Sequence, residues 1–533
     1  MNNSLDLHDI QGNLVKGYGR FGYPKARYIF FKVHTEAKGR AFISQLSKLA
    51  TNSAPWDNDD ATKNILPPPL ATTNVGFTFH GLKAIGVPMA SLQTFPQAFA
   101  MGMKARRAIL GDDGPSSPEK WDQIWKSEEQ VHIWLSINGR TEQNIEDRYQ
   151  EIVALVEASE QGVELLCGHR GDDGAEDLPY QAASAIYEKT EDGREIPTPK
   201  EHFGYTDGIS DPYFKGVSKN PLAAIGAGKP TGKDPRTIAG WEALETGEFI
   251  LGHRDEAYEY PKAPQPPLLA RNGTFMVYRK LHENVGSFNQ YIEEIGKDFP
   301  GGKEALAAKF SGRWRNGAPL TTFGTEEAAN NFVQELSEAR TAAKKGCPHA
   351  KQKYAQLKSK FVAFDYSDDL EGSRCPVGAH ARRVNPRGAL EFGVKGAYNT
   401  PGALVNRRRI LRRGLPYGES SKSSTDSGNH GIIFMALNAD IERQFEFVQQ
   451  QWIVYGNDFK LSNQKDALLG NHGNDAKGCP NGKMTIEGDK ETGQPPFFCA
   501  RIPRLVEVRG GDYFFIPSMT ALRMLGEGII DPT

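Results

Sequence analysis

Cysteine is scarce in this chain: five residues, at positions 167, 347, 375, 479 and 499 of 533. An odd, scattered set with no Cys-x-x-Cys argues against a disulfide framework and fits isolated thiols in a reducing compartment. Cys347-Pro348-His349 offers two metal-ligating side chains, but no matching second pair follows. Net charge is also nearly missing, with 64 Lys and Arg against 66 Asp and Glu. No global basic field draws in nucleic acid or an anionic membrane, so neither is an expected partner. No apolar run is long enough to predict a membrane span. The opening residues MNNSLDLHDI carry neither a basic nor an apolar stretch, which sets the expectation of a cytoplasmic protein without a secretory signal.

What is present is ordinary globular material, 38% hydrophobic and 24% charged, long enough for two to four domains. Two blocks repeat one order of elements. In the first, Arg27–Val33 reads as a buried strand, Arg40–Leu49 as a helix, and Val75–Phe79 and Val131–Ile137 as strands. Asn144–Ala158 follows as a helix with Ile145, Tyr149, Ile152 and Val156 on one face, then Val163–Cys167 as a strand. The order β-α-β-β-α-β is that of the ferredoxin-like unit. The second block predicts a strand at Thr274–Arg279, a helix at Glu283–Ile295, a helical insertion at Glu326–Leu357, a strand at Ile432–Leu437, a helix at Ile441–Trp452 and a last strand at Asp512–Pro517. The expected fold is α+β: two ferredoxin-like domains, 1–215 and 216–533, the second carrying insertions. Gly216–Arg236 reads as a surface connection between them. An α+β protein without the repeat is the alternative.

Three clusters carry chemistry. Phe203-Gly204-Tyr205-Thr206-Asp207-Gly208 sets an acid between glycines, where backbone turns tightly or approaches a ligand; alone, such a sequence is usually just an ordinary turn. Cys375 to Arg387 places His380 among arginines, either an imidazole ready for iron beside anion-binding guanidiniums or a surface histidine. Arg407 to Gly418 holds five arginines in seven residues, a pattern of solvated or nucleic-acid-facing stretches. Ile410 and Leu411 interrupt it, so part of it packs inward and brings a guanidinium towards a buried site.

Together the three clusters resemble the dye-decolorizing peroxidases. The family's Gly-x-x-Asp-Gly matches Gly204 to Gly208, its proximal-histidine segment Cys375 to Arg387, and its distal-arginine segment Arg412 to Gly418. Asp9-Ile10-Gln11-Gly12-Asn13, Leu110-Gly111-Asp112 with Gly114-Pro115-Ser116, and Gly431-Ile432-Ile433-Phe434 extend the likeness over nearly the whole chain in the family's order. The resemblance implies haem b (iron protoporphyrin IX) in the second domain, with His380 as iron ligand. It implies Asp207 and Arg412 as the distal pair, Ile432 and Phe434 as the apolar wall, and Arg383 and Arg387 as partners of the haem propionates. Asp466 is the carboxylate expected behind His380, with Asp458 second; were His380 not the ligand, His169, His202 and His430 come next. The implied reaction is oxidation of bulky dyes and small phenolic or aromatic reductants by hydrogen peroxide. Trp314 and Tyr354, in polar stretches, are candidate surface relays of electrons.

The chain departs from compact members of the family. His380 and Arg412 are 412 − 380 = 32 residues apart, Gly393–Arg407 is longer, and Glu326–Leu357 is inserted, which suggests a larger subgroup. Tyr205 stands where Phe is frequent. A haem-handling protein without turnover needs only His380, so the presence of both Asp207 and Arg412 speaks for an enzyme. A nucleic-acid-binding role for the arginine cluster conflicts with the balanced charge.

Overall fold

The computed structural model describes residues 5–56, 67–127, 129–190, 192–218, 220–390, 403–419, 425–489 and 493–530. The first unit comprises β1 (Lys25–Val33), α1 (Glu36–Leu49), β2 (Ala71–Phe77), β3 (Ile133–Gly139), α2 (Glu142–Glu157) and β4 (Val163–Leu165). β1 is buried along nearly its whole length, as its run of aromatic and β-branched residues requires. α1 turns Phe42, Ile43 and Leu46 inward, and Thr141 caps α2 by accepting from the Asn144 amide. All pairings are antiparallel, in the order β2-β3-β1-β4.

The second unit comprises β5 (Thr274–Glu283), α3 (Val285–Ile295), β6 (Leu411–Arg413), β7 (Gly431–Asn438), a helix over 442–454 and β8 (Val506–Ile516). Its order, β6-β7-β5-β8, repeats that of the first. The two ferredoxin-like units join into one sheet where Phe515 of β8 meets Phe77 of β2. Behind that seam Phe30 of β1 packs against Tyr278 of β5, ring centroids 5.3 Å apart. The last helix, α4 (Met519–Glu527), returns to the first unit; Gly526 lies so near Ser44 of α1 that an added methyl would sit 2.8 Å from its amide nitrogen.

Three elements depart from the sequence reading. β6 lies in the arginine-rich run, where charge hid a three-residue strand. The inserted Glu326–Leu357 helix is two helices, Glu326–Lys344 and Pro348–Lys360, broken at Gly346-Cys347-Pro348. The 442–454 helix is wound wide, as π-helix over Glu442–Glu446 and Val448–Val454, with the Glu446 amide donating five residues back to Ile441 at 2.9 Å. The extra residue per turn buries consecutive positions, Gln444 to Glu446 and Trp452 to Val454, instead of one narrow stripe. Of the long stretch expected at Gly393–Arg407, positions up to 402 lie outside the described residues.

Neighbouring cations on β5 cross to the first unit. Arg279 meets Asp112 at 2.5 Å and Lys280 meets Asp122 at 2.7 Å, all four side chains at most 3% exposed. Breaking one partner strands a buried charge. Lys280→Met is expected to lower unfolding free energy by about 3–5 kcal/mol in denaturant titration, and adding Asp122→Leu should recover most of that loss.

Candidate active site

The turn that carries Asp207 is built from its own carboxylate and a neighbouring arginine. Glu201 accepts from the amides of Phe203 at 2.7 Å and Tyr205 at 2.6 Å. Gly204 sits at φ +90°, a left-handed conformation that a side chain strains, and an added methyl there would meet Arg315 Nη1 at 3.0 Å. Arg315 donates to the Phe203 carbonyl and its own carbonyl accepts from Thr206 N at 2.9 Å. Asp207 N donates to the Pro199 carbonyl at 2.7 Å, and Asp207 Oδ1 accepts from Gly208 N at 2.6 Å. The motif is thus a rigid platform for one carboxylate.

Arg412 comes from β6, paired opposite Ala436 of β7, and donates to Asp207 Oδ1 at 2.6 Å. Both side chains are half-open, and both line one cavity. Burial pushes the Asp207 carboxyl up, but the Arg412 charge and hydrogen bond, the Gly208 amide and the more distant His380 outweigh it, so the pKa lies below its ordinary value. The rest of the arginine run is held by protein groups. Arg407 meets Asp255 at 2.9 Å, Arg408 donates to the Arg443 carbonyl, Arg409 to those of Ala227 and Gly228, and Arg413 meets Asp211 at 2.8 Å. That pattern belongs to a packed segment rather than a solvated basic stripe.

His380 opens the short helix His380–Val384 and lines the same cavity. Its Nδ1 is 3.0 Å from Asp466 Oδ2. Asp466 is fully buried and its Oδ1 accepts from the amides of Leu468 at 2.9 Å and Leu469 at 2.8 Å. Burial raises its pKa, and His380, Arg383 and the Leu469 amide more than reverse this, leaving it below the ordinary value. An ionised Asp466 only accepts, so it fixes the proton on Nδ1 and leaves the Nε2 lone pair free. Asp458 instead accepts from the Trp452 indole at 3.0 Å. Ile432 and Phe434 share the cavity face of β7, joined by Phe445, Val448 and Ile453 of the wide helix and by Leu468 and Leu469.

The arginines divide differently from the sequence reading. Arg387 lines the cavity, stacked 4.0 Å over the Phe364 ring and donating to the Val362 carbonyl at 2.7 Å. Arg383 does not reach it; its guanidinium passes behind Asp466 to the carbonyls of Gln464 at 2.6 Å and Tyr455 at 3.3 Å. Two arginines that the sequence did not single out, Arg313 and Arg409, complete the cavity wall. Arg313, Arg387 and Arg409 have no carboxylate partner among the described residues, and burial pushes each guanidinium down to about 10. Trp314, expected at the surface, is 4% exposed with its indole donating to the Phe323 carbonyl at 2.8 Å; its flanking arginines pointed the reading outward. Tyr354 is half-buried between the insertion helices.

Gly204→Ala tests the platform. The strained conformation is expected to cost about 1–3 kcal/mol, seen as a lower Tm, and to loosen Asp207 from Arg412.

The assembled features invite comparison with known proteins. A family model, "DyP dimeric alpha+beta barrel domain", matches residues 9–170. Dye-decolorizing peroxidase msp1 of Mycetinis scorodonius is 25% identical over 97% of this chain and 87% of its own length. Multifunctional dye peroxidase DyP2 of Amycolatopsis sp. is 25% identical over 97% of this chain and 96% of its own. Among solved structures, an ancestral D-type dye decolorizing peroxidase superposes with a TM-score of 0.69 at 25% identity, covering 98% of this chain and 99% of that one. The repeated fold, the motif order and these end-to-end likenesses agree: along nearly its whole length the chain is similar to dye-decolorizing peroxidases.

Proposed function

We propose that this chain is a peroxidase that binds haem b through His380 and uses hydrogen peroxide to oxidise bulky dyes and small phenolic reductants. One observation carries the reading: the Asp207–Arg412 pair and the Asp466-backed His380 line a single cavity. The cavity measures about 300 Å³. Its donor set fits haem. His380 Nε2 is a free imidazole ligand, the apolar wall suits a macrocycle, and Arg313, Arg387 and Arg409 are cavity-lining cations lacking anionic partners among the described residues, as two propionates require. On this reading residues 1–215 supply Asp207, and residues 216–533 supply the rest.

Bound haem supplies an iron that coordinates peroxide and exchanges electrons. The protein's own work lies in proton placement. Asp466 holds Nδ1–H and makes His380 a stronger donor through Nε2. Asp207 takes the proton from one oxygen of H2O2 and returns it to the departing oxygen. Arg412 keeps Asp207 ionised and stabilises negative charge developing on that oxygen. Ile432, Phe434 and the wide helix exclude bulk water.

The sign of the pH effect follows from the pair. Because Asp207 is held below the ordinary carboxyl range, the peroxide step should persist into acid, where a histidine base is already protonated below about pH 6. Stopped-flow mixing with peroxide should show Asp207→Asn slowed roughly 10²–10⁴-fold with haem retained. Arg412→Leu removes the strongest of the influences that lower the Asp207 pKa, so the acid limb of the rate profile should move to higher pH. An Asp207→Asn rate equal to wild type at every pH would contradict the assignment.

A further inference from the structure

Behind the Asp207 turn lie two carboxyls that the proposed chemistry leaves idle. Glu201 and Glu283 are 8% and 3% exposed, both border the cavity, and they take the amides of one turn, Glu283 that of His202 and Glu201 those of Phe203 and Tyr205, which sets the two carboxyls side by side. Two buried carboxylates side by side do not both stay charged, so the pair shares a proton. Its owner follows from the partners. Glu201 already accepts two short amide bonds, at 2.7 and 2.6 Å, which favour its charged form. Glu283 receives only the His202 amide, at 3.3 Å, and so holds the proton and donates it to Glu201. Neither carboxyl has a cationic partner among the described residues; Arg315, on the far side of the turn, pairs with Glu304 at 2.8 Å.

The pair also leads outward. His202, next to Glu201, lies 5.3 Å ring to ring from His430, and His430 lies 5.2 Å from His282. His202 Nδ1 and both ring nitrogens of His430 are buried without a hydrogen-bond partner among the described residues, which calls for bridging water. His282 closes this cluster, with Nδ1 2.9 Å from the His430 carbonyl and Nε2 2.9 Å from that of Asp426. The groups facing the pair are therefore Asp207 on one side and these three histidines, with Tyr417 beyond, on the other.

We propose that Glu201 and Glu283 form a one-proton pair that resupplies the cavity through Asp207, recharged through water held between His202 and His430. The inference rests on the peroxidase reading. The balance that calls for it is H2O2 + 2 e⁻ + 2 H⁺ → 2 H2O: the O–O bond breaks, oxygen is reduced, and two reductant molecules each lose one electron. Asp207 returns the proton it took, so the peroxide step needs none from outside. The two reductions that follow each consume one, and a dye too large for the cavity cannot deliver it there. Glu283 passes its proton to Glu201, which hands it on to Asp207, and Glu283 is then reprotonated through water beside His202. Burial raises both carboxyls, Glu201 to about 7, so the pair is loaded at the acidic pH where Asp207 is still ionised.

The test is Glu283→Gln in the haem-loaded enzyme, with Glu283→Asp as the variant that keeps a titrating group. After one equivalent of peroxide, the return to the resting spectrum with a bulky dye should slow roughly tenfold or more in Glu283→Gln, with a larger solvent deuterium effect, and recover in part in Glu283→Asp. A second readout does not depend on turnover. A carboxyl whose pKa is raised in the folded state favours folding at low pH and opposes it as pH rises. Glu283→Gln should therefore gain Tm relative to wild type as pH rises above the ordinary carboxyl range. Wild-type return rates, isotope effect and Tm profile in Glu283→Gln would overturn the relay while leaving the peroxidase reading intact. An Asp207→Asn enzyme with a normal peroxide step would overturn that reading, and the relay with it. Should Glu283→Gln not fold, Glu201→Gln and a proton inventory of the wild-type return step decide the same question.

Discussion

The site depends on one ion pair between segments 205 residues apart in the chain. Asp207 stands on a glycine turn that follows the first unit, and Arg412 on a three-residue strand of the second. Each is tolerable beside a cavity because the other is 2.6 Å away. Their contact requires that the joined sheet place β6 opposite the turn, which the Phe77–Phe515 junction and the buried β5 ion pairs enforce. The same contact sets the chemistry, because the Arg412 charge and hydrogen bond are the main influences that keep the Asp207 carboxylate charged.

The remaining cavity residues follow a complementary rule. Buried Arg387 and Arg409 and part-buried Arg313 donate to backbone carbonyls, yet lack carboxylate partners among the described residues. Three such cations around a single space suit an anionic ligand that completes the balance. Asp466 plays the opposite part. It is paired, fully hydrogen-bonded and hidden, and it orients His380 rather than meeting a ligand.

Much of this was legible in the sequence, and the exceptions have physical reasons. Asp207, His380 and Arg412 stand in local patterns whose glycines and prolines advertise unusual backbone. The first unit showed itself through alternating and 3.6-residue periodicities. β6 did not, because strands of three residues carry no period and this one is two-thirds arginine. The wide helix was read with ordinary spacing, the only template available to a periodicity argument. Arg313 and Arg409 look like surface arginines in a sequence, since a guanidinium bonded to carbonyls needs no partner with a recognisable spacing. Arg383 was placed in the cavity because it stands beside His380, but its side chain reaches behind Asp466 instead. Glu201 and Glu283 are 82 residues apart in the numbering, 283 − 201, and nothing local relates them.

The central claim is that His380 is the protein's bond to iron. Haem titrated into the purified protein, followed by Soret absorbance and haem content per chain, tests it most directly when wild type and His380→Ala are compared. The account predicts one haem per wild-type chain, with a ferric spectrum that changes on adding peroxide, and no stable occupancy in His380→Ala. Full occupancy with a wild-type Soret band in the variant would contradict it and move the ligand to another histidine.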